Sequence, residues 1–185
     1  MLPQLFHDLE DRMKKAVEAT RGEFTSIRTG RANAALLDHV LVEAYGSEMP
    51  LRHVANVAVP DPRSIVVTPH DKSILGDIRK AIEKSDLGIA PNVDGNAIRL
   101  GLPQLNEERR KELVKLVHKR AEEGRVAVRN IRRDAHDQLK HGLKDSKITE
   151  DENRRANEQL QKTTDKFIAE VDQLVAHKEK EIMED

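Results

Sequence analysis

The sequence predicts an α+β protein: an elongated three-helix bundle with a small β/α/β domain inserted after the first helix. Charged residues make up 35% of the 185 residues and aromatic residues only 2%, a composition typical of long, solvated helices. Three long segments carry apolar residues at three- and four-residue steps, and the intervening segment holds most of the prolines. We therefore expect residues 1–30 and 105–185 to form the bundle and residues 31–104 the inserted domain.

The first helix is predicted over residues 2–28. One face carries a narrow, mainly apolar stripe: Leu5, Leu9, Met13, Ala16, Thr20, Phe24 and Ile27. Gly30 is the expected helix terminator, because glycine readily adopts the left-handed conformation that ends many helices. A helix with a single apolar stripe is stable mainly through packing, so it must dock on partner helices.

The inserted segment has short β-branched runs in place of long stripes. Strands are predicted over residues 40–45, 54–59 and 64–68, bounded by Gly46, Pro50, the Pro60-Asp61-Pro62 turn and Pro69. A short amphipathic helix over residues 73–84 carries Ile74, Ile78 and Ile82 and ends near Gly88. A final hairpin pairs residues 89–93 with 98–102 and reverses at Asp94-Gly95.

Two further helices follow Pro103. The second begins after Asn106, a favoured cap residue, and runs to about residue 143. Its apolar stripe, interrupted by Gly124 on the same side, is Leu113, Val117, Val128, Ile131, Ala135 and Leu139. A break at Gly142 and residues 144–147 separates it from the third helix, for which Thr149 and Glu152 predict a capping box. The third stripe is Ala156, Leu160, Thr164, Phe167, Val171, Leu174 and Ile182.

Because the insert interrupts the bundle, it must leave and re-enter through two neighbouring connections. The sequence places these at Gly30 and Arg31 on one side and at Pro103, Gln104, Leu105 and Asn106 on the other. Two short connections at adjacent points are typical of a hinge. We therefore expect these six residues to form an interdomain hinge.

The strongest functional signal lies in residues 124–135, which read GRVAVRNIRRDA. At about 100° per residue, Arg125, Arg129, Arg132 and His136 share one helix face, while Val128 and Ile131 share another. Arginine is permanently charged and can bind phosphate through two parallel hydrogen bonds. The pattern indicates a docked helix with a basic outer edge that could bind phosphate, although composition alone favours a solvated surface.

Several functional classes have little support in the sequence. There is no cysteine, which excludes disulfides and thiol chemistry and fits a reducing, cytoplasmic setting, and no P-loop is present. We expect neither a membrane span, nor a leader segment, nor a cofactor. His118 and Glu122 lie four residues apart but suggest no third metal ligand. His70-Asp71 could serve acid–base chemistry, but helix capping by Asp71 is the simpler explanation.

Blocks of residues over essentially the whole chain resemble bacterial ribosome recycling factors. They are residues 27–32 (IRTGRA), 36–38 (LLD), 85–88 (SDLG), 107–111 (EERRK) and 125–135 (RVAVRNIRRDA). The resemblance implies an L-shaped protein of roughly transfer-RNA dimensions. It also implies binding between the ribosomal subunits after peptide release, and subunit splitting with elongation factor G and GTP, which frees messenger and transfer RNA. Since the partner hydrolyses the GTP, the chain is expected not to be an enzyme.

The resemblance also implies roles for particular arginines. Arg110, Arg129 and Arg132 look like the family's contacts with large-subunit ribosomal RNA. Periodicity adds Arg125, and Arg133 belongs to the same basic block. The chain departs from the family pattern at Ala34, usually proline, and at Gly124, usually alanine. We expect a monomer with no membrane partner; the alternative is a helical scaffold or chaperone-like module that binds proteins through its apolar stripes.

Overall fold

The computed structural model describes residues 1–184, which divide into two compact units. The first unit comprises Met1–Arg28 and Glu107–Glu184, and the second comprises Thr29–Asn106. In chain order the helices and strands are α1 Leu2–Ser26, β1 Leu41–Ala44, β2 Ser47–Pro50, α2 Leu51–Val54, β3 Ala55–Asp61, β4 Ser64–Pro69, α3 Leu75–Lys84, β5 Pro91–Asp94, β6 Ala97–Gly101, α4 Glu107–Lys144 and α5 Glu150–Met183. Within residues 1–184, none of the helices combines the length and apolarity needed to cross a membrane.

The first unit is the three-helix bundle that the sequence predicts. Arg12 of α1 pairs with Asp134 of α4 at 3.1 Å, and Glu23 of α1 pairs with Arg120 of α4 at 3.6 Å, so these helices run antiparallel. Contacts from His118 to Glu179 and from His136 to Asn157 show the same antiparallel relation between α4 and α5. Each helix therefore buries its stripe against the other two.

The predicted stripes are confirmed at most positions. In α4 all of the predicted apolar residues and Gly124 are buried, and Ala121 joins them. Two positions are wrong: Val17 is buried in α1 where Ala16 was expected, and Val175 is buried in α5 where Leu174 was expected. Both errors have one cause, since a stripe can continue by a three- or a four-residue step and the sequence does not choose between them.

Gly124 allows α1 and α4 to approach closely. A Cβ atom at this position would overlap Thr20 Oγ1 and lie 3.3 Å from Thr20 Cβ and Cγ2. Thr20 is itself buried, and its hydroxyl donates to the Ala16 carbonyl at 3.0 Å. Gly124 is therefore a packing residue, and the close contact between the two helices offsets the poor helix propensity of glycine.

The turn between α4 and α5 confirms the predicted break and cap. Ser146 adopts a positive φ of 57°, and Lys147 N donates to the Gly142 carbonyl at 2.8 Å. Thr149 Oγ1 accepts from Glu152 N, and Glu152 Oε1 accepts from Thr149 N, both at 3.1 Å. These reciprocal hydrogen bonds form the capping box and fix the first turn of α5.

The second unit has two sheets around one apolar core. β1 and β2 form an antiparallel hairpin, and the other four strands form an antiparallel sheet in the order β3-β4-β6-β5. The three predicted isoleucines, Ile74, Ile78 and Ile82, are buried with residues of the larger sheet, among them Ile65, Val67, Ile98 and Leu100. The short helix thus holds the unit together through its predicted apolar face.

Three local predictions are wrong. The strand β2 was not predicted, because Ser47, Glu48 and Met49 lack the β-branched pattern of a strand. Tyr45 and Gly46, both at positive φ, reverse the chain from β1 into β2. The last hairpin turns at Gly95-Asn96 between the paired Asp94 and Ala97, one residue later than expected. The helix α1 ends at Ser26, two residues before its predicted end, with the extended cap residue Ile27, whereas α3 ends at Lys84 as predicted.

Candidate nucleic-acid interface

The arginine block lies in the middle of α4, where the buried stripe fixes the direction of each side chain. Val128 is fully buried, and Ile131 and Ala135 are nearly so. Arg129 and Arg132 lie half-buried beside this stripe, and Arg133 is exposed. α4 is therefore oriented by its apolar side and presents basic residues at its edge.

Arg125 is held by α5. Its Nε and Nη2 donate to Asp172 Oδ1 at 3.0 and 2.7 Å, and its Nη1 donates to Glu122 Oε2 at 3.3 Å. Only 19% of its side-chain surface is exposed. Both ends of the guanidinium are thus engaged by carboxylates, and Arg125 ties α4 to α5.

Arg129 contacts the other oxygen of the same carboxylate. Its Nη1 donates to Glu122 Oε1 at 3.1 Å, and 43% of its side-chain surface is exposed. The hydrogen bonds from Arg129 and then from Arg125 lower the pKa of Glu122 below its ordinary value. Because the folded-state pKa is depressed, this contribution to stability is present above the ordinary pKa of Glu122 and is lost as the pH falls through the lowered value.

Arg132 and Arg133 differ from these two. Neither forms an ion pair or a side-chain hydrogen bond with any residue between 1 and 184. Arg110, in the first turn of α4, is half-buried. Of the five predicted RNA contacts, the structure therefore links Arg125 and Arg129 through Glu122, leaves Arg132 and Arg133 open, and places Arg110 elsewhere along the helix.

The predicted hinge residues lie in the second unit, where the two connecting segments touch. Gly30 has a φ of +77°, and a Cβ atom on it would lie 2.9 Å from Leu105 Cγ. Beyond these segments the backbone is anchored, because Ala32 N donates to the Pro62 carbonyl at 2.6 Å and Leu102 N donates to the Arg63 carbonyl at 2.8 Å. The expectation that the two connections lie side by side is therefore met at Gly30 and Leu105.

The structure also accounts for Ala34. It is the first residue of a 3₁₀ turn, Ala34–Leu37, and the preceding Asn33 has extended backbone angles of φ −146° and ψ 131°. That conformation is the one required before a proline, and proline is well accommodated at the start of a helix. Alanine at this position therefore keeps the turn, and compared with proline it only increases the conformational entropy of the unfolded chain.

The histidine and aspartate candidates have structural partners. His118 contacts Glu179 of α5 instead of Glu122. Asp71 caps the turn that precedes α3, since its Oδ1 accepts from Ser73 N at 2.9 Å, and its Oδ2 accepts from the Tyr45 hydroxyl. Among residues 1–184, no group of three or more potential ligands could hold a metal ion. The interpretation of Asp71 as a cap is thus confirmed.

Comparison with known proteins decides the family. The model of the family described as ribosome recycling factor matches residues 20–183. The chain belongs to the ribosome recycling factor family. It is 56% identical over 184 residues to the ribosome-recycling factor of Symbiobacterium thermophilum, covering 100% of both chains. It is 57% identical over 176 residues to that of Thermosynechococcus vestitus, covering 95% of this chain and 97% of that protein.

Solved structures of the ribosome recycling factor family have the same fold. A solution structure of a ribosome recycling factor matches with a TM-score of 0.72 and 46% identity, covering 98% of this chain and 97% of the other. A Thermus thermophilus ribosome recycling factor, in models with Escherichia coli elongation factor G bound to the post-termination complex, matches with a TM-score of 0.64 and 48% identity over 99% of both chains. Ribosome recycling factors are translation factors without enzymatic activity, as expected for this chain.

The acidic partners of Arg125 and Arg129 in this member of the ribosome recycling factor family were not predicted from the sequence. Glu122 precedes Arg125 by three residues and Arg129 by seven, a spacing at which a glutamate can reach both on one helix. That signal was available in the sequence. Asp172 was not predictable, because it comes from α5 and its position depends on how the two helices pack.

Proposed function

We propose that this chain binds the post-termination ribosome and, with elongation factor G and GTP, splits it into subunits, releasing messenger and transfer RNA. The family match over residues 20–183 carries this proposal. The arginine edge of α4 adds support, because a helix with exposed arginines suits a polyanionic partner better than an active site. We place the protein in the cytoplasm, where ribosomes work, and expect it to act as a monomer.

We further propose that α4 contacts large-subunit ribosomal RNA through Arg129, Arg132 and Arg133, with Arg110 assisting. Arg132 and Arg133 form no ion pair within residues 1–184, and 43% of the Arg129 side-chain surface is exposed. Aromatic residues make up only 2% of the chain, so base stacking is a poor means of recognition for this surface. Contacts to phosphates and to the shape of folded RNA fit its chemistry better.

Subunit splitting tests the function directly. Light scattering of post-termination ribosomes should fall when this protein, elongation factor G and GTP are all present, because separated subunits scatter less than the whole ribosome. Omitting any one component should leave the scattering unchanged. Ribosomes that stay intact in the complete mixture would contradict the proposed function, whereas a helical scaffold or chaperone would give no dependence on GTP.

We propose that Gly30 and Arg31, with residues 103–106, act as the hinge that subunit splitting requires. Gly30→Ala tests this, since an L-residue at φ +77° costs about 1–2 kcal/mol and its Cβ would press on Leu105. We expect ribosome affinity to change less than about twofold, while the splitting rate falls by about threefold or more, which corresponds to a barrier raised by at least about 0.6 kcal/mol.

A matched control separates the hinge from backbone strain. Gly95 also has a positive φ, of 62°, but a Cβ atom there would meet nothing within 4 Å. Gly95→Ala should therefore impose similar strain on the second unit without touching the connections, and splitting should proceed at the wild-type rate. Equal splitting rates for Gly30→Ala and wild type would count against the hinge.

A further inference from the structure

Four charged side chains form a continuous chain of hydrogen bonds from α5 to the edge of α4. Asp172 Oδ1 accepts from Arg125, Glu122 Oε2 accepts from Arg125, and Glu122 Oε1 accepts from Arg129. The three links measure 2.7–3.3 Å. Glu122 therefore uses both carboxylate oxygens and joins a fixed arginine to a more exposed one.

The two arginines in this chain use their guanidinium groups differently. Arg125 gives its Nε and Nη2 to Asp172 and its Nη1 to Glu122, so its phosphate-binding edge is occupied. Arg129 gives only Nη1 to Glu122. Its Nε and Nη2 form no hydrogen bond or ion pair within residues 1–184, and this pair is an edge that can bind a phosphate through two parallel hydrogen bonds. A phosphate can thus bind the Nε–Nη2 edge of Arg129 while Arg129 Nη1 keeps its hydrogen bond to Glu122.

Glu122 is kept in place independently of Arg129. Arg125 is largely buried and is anchored to Asp172 by two hydrogen bonds, and it in turn holds Glu122. An arginine side chain that is already held loses less rotational freedom when it binds a partner. This benefit depends on geometry, so it favours a folded RNA whose phosphates have set positions over a flexible strand.

We propose that Glu122 is a positioning residue for RNA binding, which orients the Nε–Nη2 edge of Arg129 towards a phosphate of folded RNA and so favours the ribosome over unstructured polyanions. The proposal rests on the proposed function and assigns different roles to neighbouring arginines. Arg125 acts through Glu122, and Arg129 makes the contact. The negative charge of Glu122 also repels phosphates that approach without the correct geometry.

Glu122→Gln tests the proposal in the full-length protein. Dissociation constants are measured for ribosomes and for poly(U) RNA at one salt concentration, and their ratio is compared with wild type. We expect ribosome binding to weaken by about two- to tenfold, because Arg129 is no longer held, whereas poly(U) binding stays equal or tightens as a repelling charge is removed. The rotation of the Arg129 guanidinium about Nε–Cζ, measured by nuclear magnetic resonance, should become faster.

Glu123→Gln is the matched control, because it removes the same charge from the adjacent residue. Glu123 pairs with Arg120, which also pairs with Glu23 of α1 and lies outside the arginine block. This variant should leave the ratio of the two dissociation constants unchanged. Equal ratios for Glu122→Gln and Glu123→Gln, or unaltered rotation of Arg129 in Glu122→Gln, would overturn the role of Glu122.

Arg129→Ala distinguishes failure of this inference from failure of the proposed RNA contact. It should weaken ribosome binding, and adding Glu122→Gln to it should not weaken binding further. If Arg129→Ala binds ribosomes as tightly as wild type, the proposed arginine surface itself is wrong. If Arg129→Ala binds weakly but Glu122→Gln behaves like its control, only the positioning role fails.

Discussion

Gly124→Ala is expected to lower the free energy of unfolding by about 1–2 kcal/mol. Inserting a methyl group into a packed interior costs roughly 1–3 kcal/mol, and the better helix propensity of alanine returns up to about 1 kcal/mol. The new Cβ would overlap Thr20 Oγ1, so either Thr20 must give up its hydrogen bond to Ala16 or α1 and α4 must move apart. Urea denaturation followed by circular dichroism would measure the loss.

Two variants provide the controls. Gly22 lies in α1, and a Cβ atom at this position would meet nothing within 4 Å. Gly22→Ala should therefore raise the free energy of unfolding by about 0.5–1 kcal/mol. In the double variant, Thr20→Ala removes the Thr20 hydroxyl and methyl groups that the new Cβ at position 124 would meet. In the Thr20→Ala background, Gly124→Ala should therefore be neutral or stabilising. The same destabilisation in both backgrounds would show that Thr20 is not the obstacle.

Arg132→Ala is expected to weaken ribosome binding by about tenfold, which is the loss of one charge-assisted hydrogen bond to phosphate. Because the side chain forms no ion pair within residues 1–184, its removal should barely change the melting temperature. If the surface neutralises about four phosphates, log affinity should fall with log salt at a slope near −3 for wild type, and the slope should become shallower by about 0.7–0.9 for the variant.

Arg155→Ala is the control for charge alone. Arg155 is an exposed arginine of α5 that also forms no ion pair within the described part of the chain. Arg155→Ala removes one positive charge at a position outside the arginine block, so ribosome affinity and its salt dependence should stay close to wild type. Ribosome binding that is equally affected in both variants would reduce the role of Arg132 to net charge.

The helices of the bundle were predictable because their information is local. A stripe at three- and four-residue steps determines which side of a helix is apolar, and the Thr149–Glu152 capping box determines where α5 begins. The hairpin of β1 and β2 was harder to predict. Ser47 and Glu48 are exposed and have low strand propensity, so they form a strand through pairing with Ala44 and Glu43.

For the candidate site, the sequence by itself determined which residues line the edge of α4, because helical periodicity places Arg129 and Arg132 beside the buried stripe. It also determined the family, through residue blocks spread along the whole chain. Only the tertiary structure decided how each arginine is used. Arg125 is hydrogen-bonded to Asp172 of α5, and a residue larger than glycine at position 124 would overlap Thr20 of α1. Such contacts depend on how helices distant in sequence pack together, which local patterns do not specify.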